Sequence, residues 1–194
     1  AGVGAGLAAD ARTMLGGDVE LNLVLRPANP EERAYLDHAG AVAEVTGMRA
    51  MTRRDDGARR SLVELKAVDS AYPLEGAVTL DPPGELATAL ARKDGLWGAV
   101  AAPALLDRLG VKPGDILRVG DARFVLRAAL THEPDAATGV FVLGPRLMIA
   151  EPALAETGLV MPGALLNYSY RVGLPAGTNV ARWIAALRER FPDA

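Results

Sequence analysis

The chain has 194 residues, half of them hydrophobic and 23% charged, with a formal net charge of −3 and no cysteine. That length suits one domain or two small ones, and the balance can bury a core. The weak negative charge argues against a nucleic-acid binder, whose footprint would be basic, and the missing thiol excludes disulfides, thiolate chemistry and a lipidated cysteine anchor. No apolar run reaches the ~18 residues of a membrane helix, and no basic region followed by an apolar one opens the sequence as a leader would. Ala1–Ala9 (AGVGAGLAA) reads equally as the outer end of a truncated membrane helix or as a flexible lead-in.

Leu7, Ala8, Ala11, Met14 and Leu15 fall near the 3.6-residue period and predict a helix over 5–15, stopped by Gly16-Gly17. Val19 to Leu25 alternates as a strand and Pro27 ends it. Asn29-Pro30-Glu31-Glu32 opens a helix that runs to about His38 and stops at Gly40. Asn29 caps, Pro30 suits the first helical position, and the acids favour the positive end of the dipole. Val42 to Thr52 alternates again, with Gly47 expected to mark a bulge. The Asp56-Gly57 turn then sends Ser61 to Val68 back antiparallel. Leu165 to Leu174 is a further strand, and Asn179 to Phe191 an amphipathic helix with Val180, Trp183, Ile184 and Leu187 on one face. These end segments predict a sheet with helices packed on one face.

Between them the text changes. Asp81-Pro82-Pro83-Gly84 is a turn, followed by short helices over 85–92 and 103–109, the second stopped at Gly110. Strands are expected at Ile116–Val119, Arg123–Leu130, Phe141–Leu143 and Arg146–Ala150, joined by glycine turns. The fold class is therefore α+β. A discontinuous mixed α/β subdomain, residues 1–72 and 162–194, carries an inserted smaller β-rich subdomain, residues 73–161.

No reaction site emerges. The histidines are His38, at a helix end, and His132, in the loop with Glu133 and Asp135, without the spacing of a metal site. Gly2, Gly4 and Gly6 fail the dinucleotide fingerprint because Leu7 replaces its third glycine and no strand precedes, and no phosphate-loop lysine exists. Ser61, Ser70 and Ser169 lie outside any nucleophile-elbow pattern, and Ser61 and Ser169 are expected to point outward from strands. Asp55 and Asp56, flanked by Arg53, Arg54, Arg59 and Arg60, read as a solvated hairpin tip with cancelling charges, or as a contact for an acidic partner or lipid headgroup. Trp97 reads as a core or junction residue. The expectation is no catalytic, cofactor-binding or metal-ligating residue.

Four runs carry a resemblance: ARTMLGGD at 11–18, LVELKAVDSAYPL at 62–74, LLDRLGVKPGDILRVGDARFVL at 105–126 and LGPRLMIAEPALAETGLVMPG at 143–163. In this order and spacing the chain resembles the extracytoplasmic domain of YbbP-type ABC transporter permeases, within the MacB/FtsX-like group. The resemblance implies a porter-like part with an inserted sabre-like part, the chain leaving the first for the second at Tyr72-Pro73. It implies a periplasm-facing domain of a bacterial inner-membrane protein. The partners implied are a cytoplasmic ATP-binding subunit, a second permease copy and a periplasmic esterase or thioesterase, with no nucleic acid. The implied role is mechanical and non-catalytic: ATP hydrolysis inside is coupled to extraction or export of hydrophobic, lipid-like compounds. Two other readings compete. One is a free-standing periplasmic module for an apolar ligand or partner protein. The other is a hydrolase, which would need a histidine beside Ser169 or Asp135.

Overall fold

The computed structural model describes residues 12–13, 19–136 and 144–192. In chain order the elements are β1 (Arg12–Thr13), β2 (Val19–Val24), α1 (Pro30–Ala39), β3 (Ala41–Arg54), β4 (Arg60–Val68), β5 (Thr79–Asp81), α2 (Leu86–Leu90), β6 (Trp97–Ala101), α3 (Pro103–Leu109), β7 (Ile116–Val119), β8 (Ala122–His132), β9 (Arg146–Ala150), α4 (Glu151–Leu154), β10 (Asn167–Gly173) and α5 (Val180–Arg190). Among the described residues no helix is long and apolar enough to cross a membrane.

The start of α1 follows from local chemistry. The Asn29 side chain accepts from the Glu32 amide while Glu32 accepts from the Asn29 amide, a reciprocal capping box with Pro30 just inside. Asn179 caps α5 in the same way through the Arg182 amide. At the end of α3, Gly110 takes a φ of 64°, the left-handed conformation that closes a helix and that glycine adopts without strain.

One sheet runs in the order β1-β2-β10-β3-β4-β9-β6-β8-β5, and β7 pairs with both β3 and β8. That double pairing closes β3, β4, β9, β6, β8 and β7 into a six-stranded ring. A closed ring leaves its strands without free edges and encloses a core of their inward side chains. Leu65, Leu117, Phe124, Leu126 and Leu147, all fully buried, fill it with Leu105 and Leu109 of α3.

The 14 residues of β3 belong to two neighbourhoods. Residues 41–47 pair with β10, whereas Thr52–Arg54 pair with β7. The first half of β3, with β10 and β2, makes a three-stranded layer. Its alternation puts Val19, Leu21, Leu23, Val42, Tyr170 and Val172 on one face under α1 and α5, which contribute Leu36 and Leu187. A third apolar group lies outside the ring wall: Val68, Val100, Ala128 and Met148 are covered by Leu90 of α2 and Leu80 of β5. Gly98 permits that cover, since a β-carbon there would lie 1.9 Å from the Ala89 carbonyl oxygen.

Several expectations need correction. Arg12 and Thr13 form a strand against Val19 and Glu20, not part of a helix, because the edge of β2 offers backbone partners that outweigh a weak apolar period; the rest of the helix expected over 5–15, Ala1–Ala9 and the strand expected at 141–143 lie outside the described residues. Gly47 sits in unbroken register with both Lys66 and Asn167, so β3 has no bulge there. Sequence reading missed β5 and β6. Residues 98–101 of β6 are buried on both faces, which erases the alternation that identifies a half-exposed strand.

Candidate functional site

The open face of the three-stranded layer meets the outer wall of the ring in a cleft of about 210 Å³. One bank is polar and comes from alternate residues of three strands: Glu20, Asn167, Ser169 and Arg171, with Ala43, Val45 and Gly47 as its floor. The other bank is Lys66, Tyr72 to Leu74, Asp135 and Arg146.

Behind that bank lies a compact ionic cluster. Lys66, on β4, is 5% exposed. Its ammonium donates to both carboxylate oxygens of Asp135 at 2.9 and 2.8 Å, to Glu133 at 3.4 Å and to the Tyr72 hydroxyl at 3.0 Å. Tyr72 in turn donates to Asp135 at 2.5 Å, and Arg146 at the start of β9 reaches Glu133 at 3.0 Å. The Lys66 ammonium also stands 4.6 Å from the centre of the Tyr72 ring. Two cations face two carboxylates, so the charges cancel within the cluster.

Burial alone would raise the Asp135 carboxyl, but the Lys66 charge and the hydrogen bonds from Lys66 and Tyr72 outweigh it and hold Asp135 below its ordinary value. Burial, reinforced by the Asp135 carboxylate, drives the Tyr72 phenol far upward, so it stays protonated and donates. Asp135 is thus committed as an acceptor and Tyr72 as a donor. Chemically the arrangement is a latch. It fixes the segment leaving β4 and the segment leaving β8 against the ring wall, and removing one partner of such a buried pair leaves the other charge uncompensated.

The residues singled out from sequence scatter. Glu133 and Asp135 enter the latch, while His132 stays exposed at the end of β8, paired in the sheet with Thr79. Ser61 does not point outward: it is 8% exposed and its hydroxyl donates to the Leu62 carbonyl, because its position on β4 faces inward. Ser169 donates to the Asn22 side chain at 2.6 Å on the open face of the layer, and Ser70 is exposed. Trp97 is half-buried against the ring core. Among the described residues, no group of three or more acidic or histidine side chains is arranged to hold a metal ion. The hairpin tip is exposed and its charges are paired in part: Asp55 bridges Arg118 and Arg123, and Arg54 binds Asp56 and the Leu109 carbonyl. The latch was missed because Lys66 and Asp135 stand 69 residues apart; a lysine at a position that alternation turns toward covered wall was its only local sign.

This architecture is shared with known proteins. The extracellular domain of the ABC-type transporter YknZ from Gram-positive bacteria matches with a TM-score of 0.53 at 13% identity, over 85% of this chain and 84% of that one. The periplasmic region of MacB from Actinobacillus actinomycetemcomitans matches with a TM-score of 0.54 at 11% identity, over 89% and 82%. The fold is that of the extracytoplasmic domains of MacB-type permeases. By sequence, the chain is 30% identical over 170 residues to the ABC transporter permease YbbP of Escherichia coli (strain K12). The match takes in 87% of this chain and spans about a fifth, 20%, of that relative's length. No protein-family model matches. By fold the chain is similar to the extracytoplasmic domains of YknZ and MacB, and by sequence to one part of an ABC transporter permease.

Proposed function

We propose that this chain is the non-catalytic, periplasm-facing domain of a bacterial inner-membrane ABC permease that transmits movement from a cytoplasmic ATP-binding subunit to a hydrophobic, lipid-like substrate outside. The sequence relationship to a permease supports the setting. The observation that carries the mechanical part is β3. A strand of 14 residues is about 45 Å long, and its two halves belong to the layer and to the ring, so displacement of one is passed to the other through continuous backbone pairing. The latch holds the ring wall to the segments that border the layer's open face, which supports motion as one body. In this reading residues 1–72 and 162–194 form the porter-like part, whose β3 and β4 complete the ring, and 73–161 the insertion. A second permease copy completes the assembly, and a periplasmic esterase or thioesterase is its further partner.

Fractionation of the native gene product tests the setting. A membrane protein that co-purifies with an ATPase is expected; a soluble product of about this chain's length with no ATPase would overturn the reading. For the coupling, Lys66→Met in the reconstituted transporter is expected to lower transport per ATP hydrolysed while hydrolysis continues. Unchanged stoichiometry, in Lys66→Met and Asp135→Asn alike, would remove the latch from the mechanism. A binding module for an apolar ligand is the second reading. It is favoured by a cleft of about 330 Å³ between α2 and α4, walled by Val68, Leu86, Leu90, Trp97 and Pro152.

A further inference from the structure

The tip of the β3–β4 hairpin carries an arrangement of charge that folding alone does not favour. Arg53 of β3 lies directly opposite Arg60 of β4 on one side and Arg118 of β7 on the other, and Arg118 lies opposite Arg123 of β8. Directly opposed residues share a face, so four arginines stand in one row across four adjacent strands of the outer wall. At about 4.8 Å between strands the row is roughly 14 Å long. Like charges directly opposite destabilise a sheet.

Half of the row is already satisfied. Asp55, from the hairpin turn, accepts from Arg118 at 2.9 Å and from Arg123 at 3.3 Å, one carboxylate oxygen to each. Arg54 turns instead to Asp56 and the carboxyl end of α3, and Arg59 lies beside Gly110 at the same helix end. Arg53 and Arg60 are exposed and meet no anion among the described residues. They repeat, on the next pair of strands, the cross-strand opposition that Asp55 bridges. Two residues further in, on the same face, Met51 opposes Leu62, and these are 51% and 39% exposed.

We propose that Arg53 and Arg60, with the Met51–Leu62 pair beside them, form a docking site for an acidic segment of a partner protein in which a carboxylate neighbours an apolar side chain. The carboxylate bridges the two guanidinium groups as Asp55 bridges Arg118 and Arg123, and the apolar side chain covers Met51 and Leu62. An anionic bilayer is the less favoured occupant. Its field acts over about a Debye length, some 8 Å at physiological salt, on a domain of net charge −3, whereas a bridging carboxylate needs only the local pair. The proposal stands on the hairpin geometry and does not rest on the permease reading.

The test is a titration of isotope-labelled protein with a peptide of alternating Glu and Leu, followed at the arginine side-chain Nε–Hε resonances. Arg53 and Arg60 are expected to shift at lower peptide concentration than Arg118 and Arg123, which Asp55 already occupies. Replacing Glu by Gln in the peptide should weaken binding about tenfold, the scale of one charge-assisted hydrogen bond. The double variant Arg53→Ser, Arg60→Ser should lose the same factor while its Tm does not fall. Uniform shifts over all exposed arginines, or equal affinity for the Gln peptide, would overturn the proposal. So would phosphatidylglycerol vesicles that sediment the wild type but not the double variant while the peptide leaves Arg53 and Arg60 unmoved; that result would assign the row to a lipid surface.

Discussion

In the three-stranded layer, apolar side chains occupy one face of β2, β10 and the first half of β3, and two separate helices must dock to cover them. In the ring, the same alternation turns inward and the strands cover one another. The dockings are slender: α1 fully buries Glu32 and Leu36, and α5 fully buries Leu187, with further contact from the half-buried Tyr35, Ala39, Val180, Trp183 and Ile184 and from Phe191. Tyr35 meets Phe191 edge-on at 5.5 Å and Trp183 at 6.1 Å. The ring core is larger, drawn from six strands and α3. A region whose cover comes from peripheral helices opens more readily than one closed by its own strands, so the layer is the compliant part and the ring the stiff one.

Substitutions can break or sharpen that contrast. Phe124→Ala removes the largest side chain of the ring core and is expected to cost about 4 kcal/mol in urea unfolding, with loss of the whole transition, since no part of the domain outlives the ring. Lys66→Met leaves Glu133 with Arg146 and Asp135 with the Tyr72 hydroxyl but no bound cation, and should cost about 3 kcal/mol. Its pH signature is specific. Asp135 has a depressed folded value, so its contribution is full near neutrality and drains as pH falls below about 4. The gap between wild type and Lys66→Met should therefore narrow on acidification. Tyr72, raised in the fold, adds a loss of stability above about pH 10. A gap that stays constant from pH 7 to pH 3 would show that the latch carries no net ionic stabilisation.

Leu187→Ala at the α5 contact is expected to cost about 2 kcal/mol. Hydrogen exchange should rise in α5 and β2 first and leave β6 and β8 protected; uniform acceleration would mean that layer and ring open as one unit. Arg53→Thr has the smallest expected effect and the opposite sign. Relief of two like-charge oppositions should raise stability by a few tenths of a kcal/mol, read as a higher urea midpoint, most clearly at low salt.

The layer was legible in the sequence for the reason that it is compliant: its determinants are local. The capping box at Asn29, the alternation of β2 and β10 and the apolar stripe of α5 each lie within a dozen residues. Ring closure was not legible, because it rests on three residues of β7 finding Thr52–Arg54 more than sixty positions away. β6 was hidden by burial on both faces. The latch and the arginine row failed in a common way: their residues were visible as charges, but only the folded path of the segment after β8 brings Asp135 to Lys66, and only register sets Arg53 between Arg60 and Arg118. The family resemblance spanned that gap for the overall architecture and left the side-chain clusters unseen.

One outer strand has a bearing on how the domain behaves beside its neighbours. β5 is three residues long and runs directly into Pro82 and Pro83, neither of which has an amide hydrogen to offer. A neighbouring chain that tried to extend the sheet there would find too few donors to continue a ladder. Domains crowded together at this edge therefore resist fusing into a shared sheet and stay free to slide past one another, held by side chains alone.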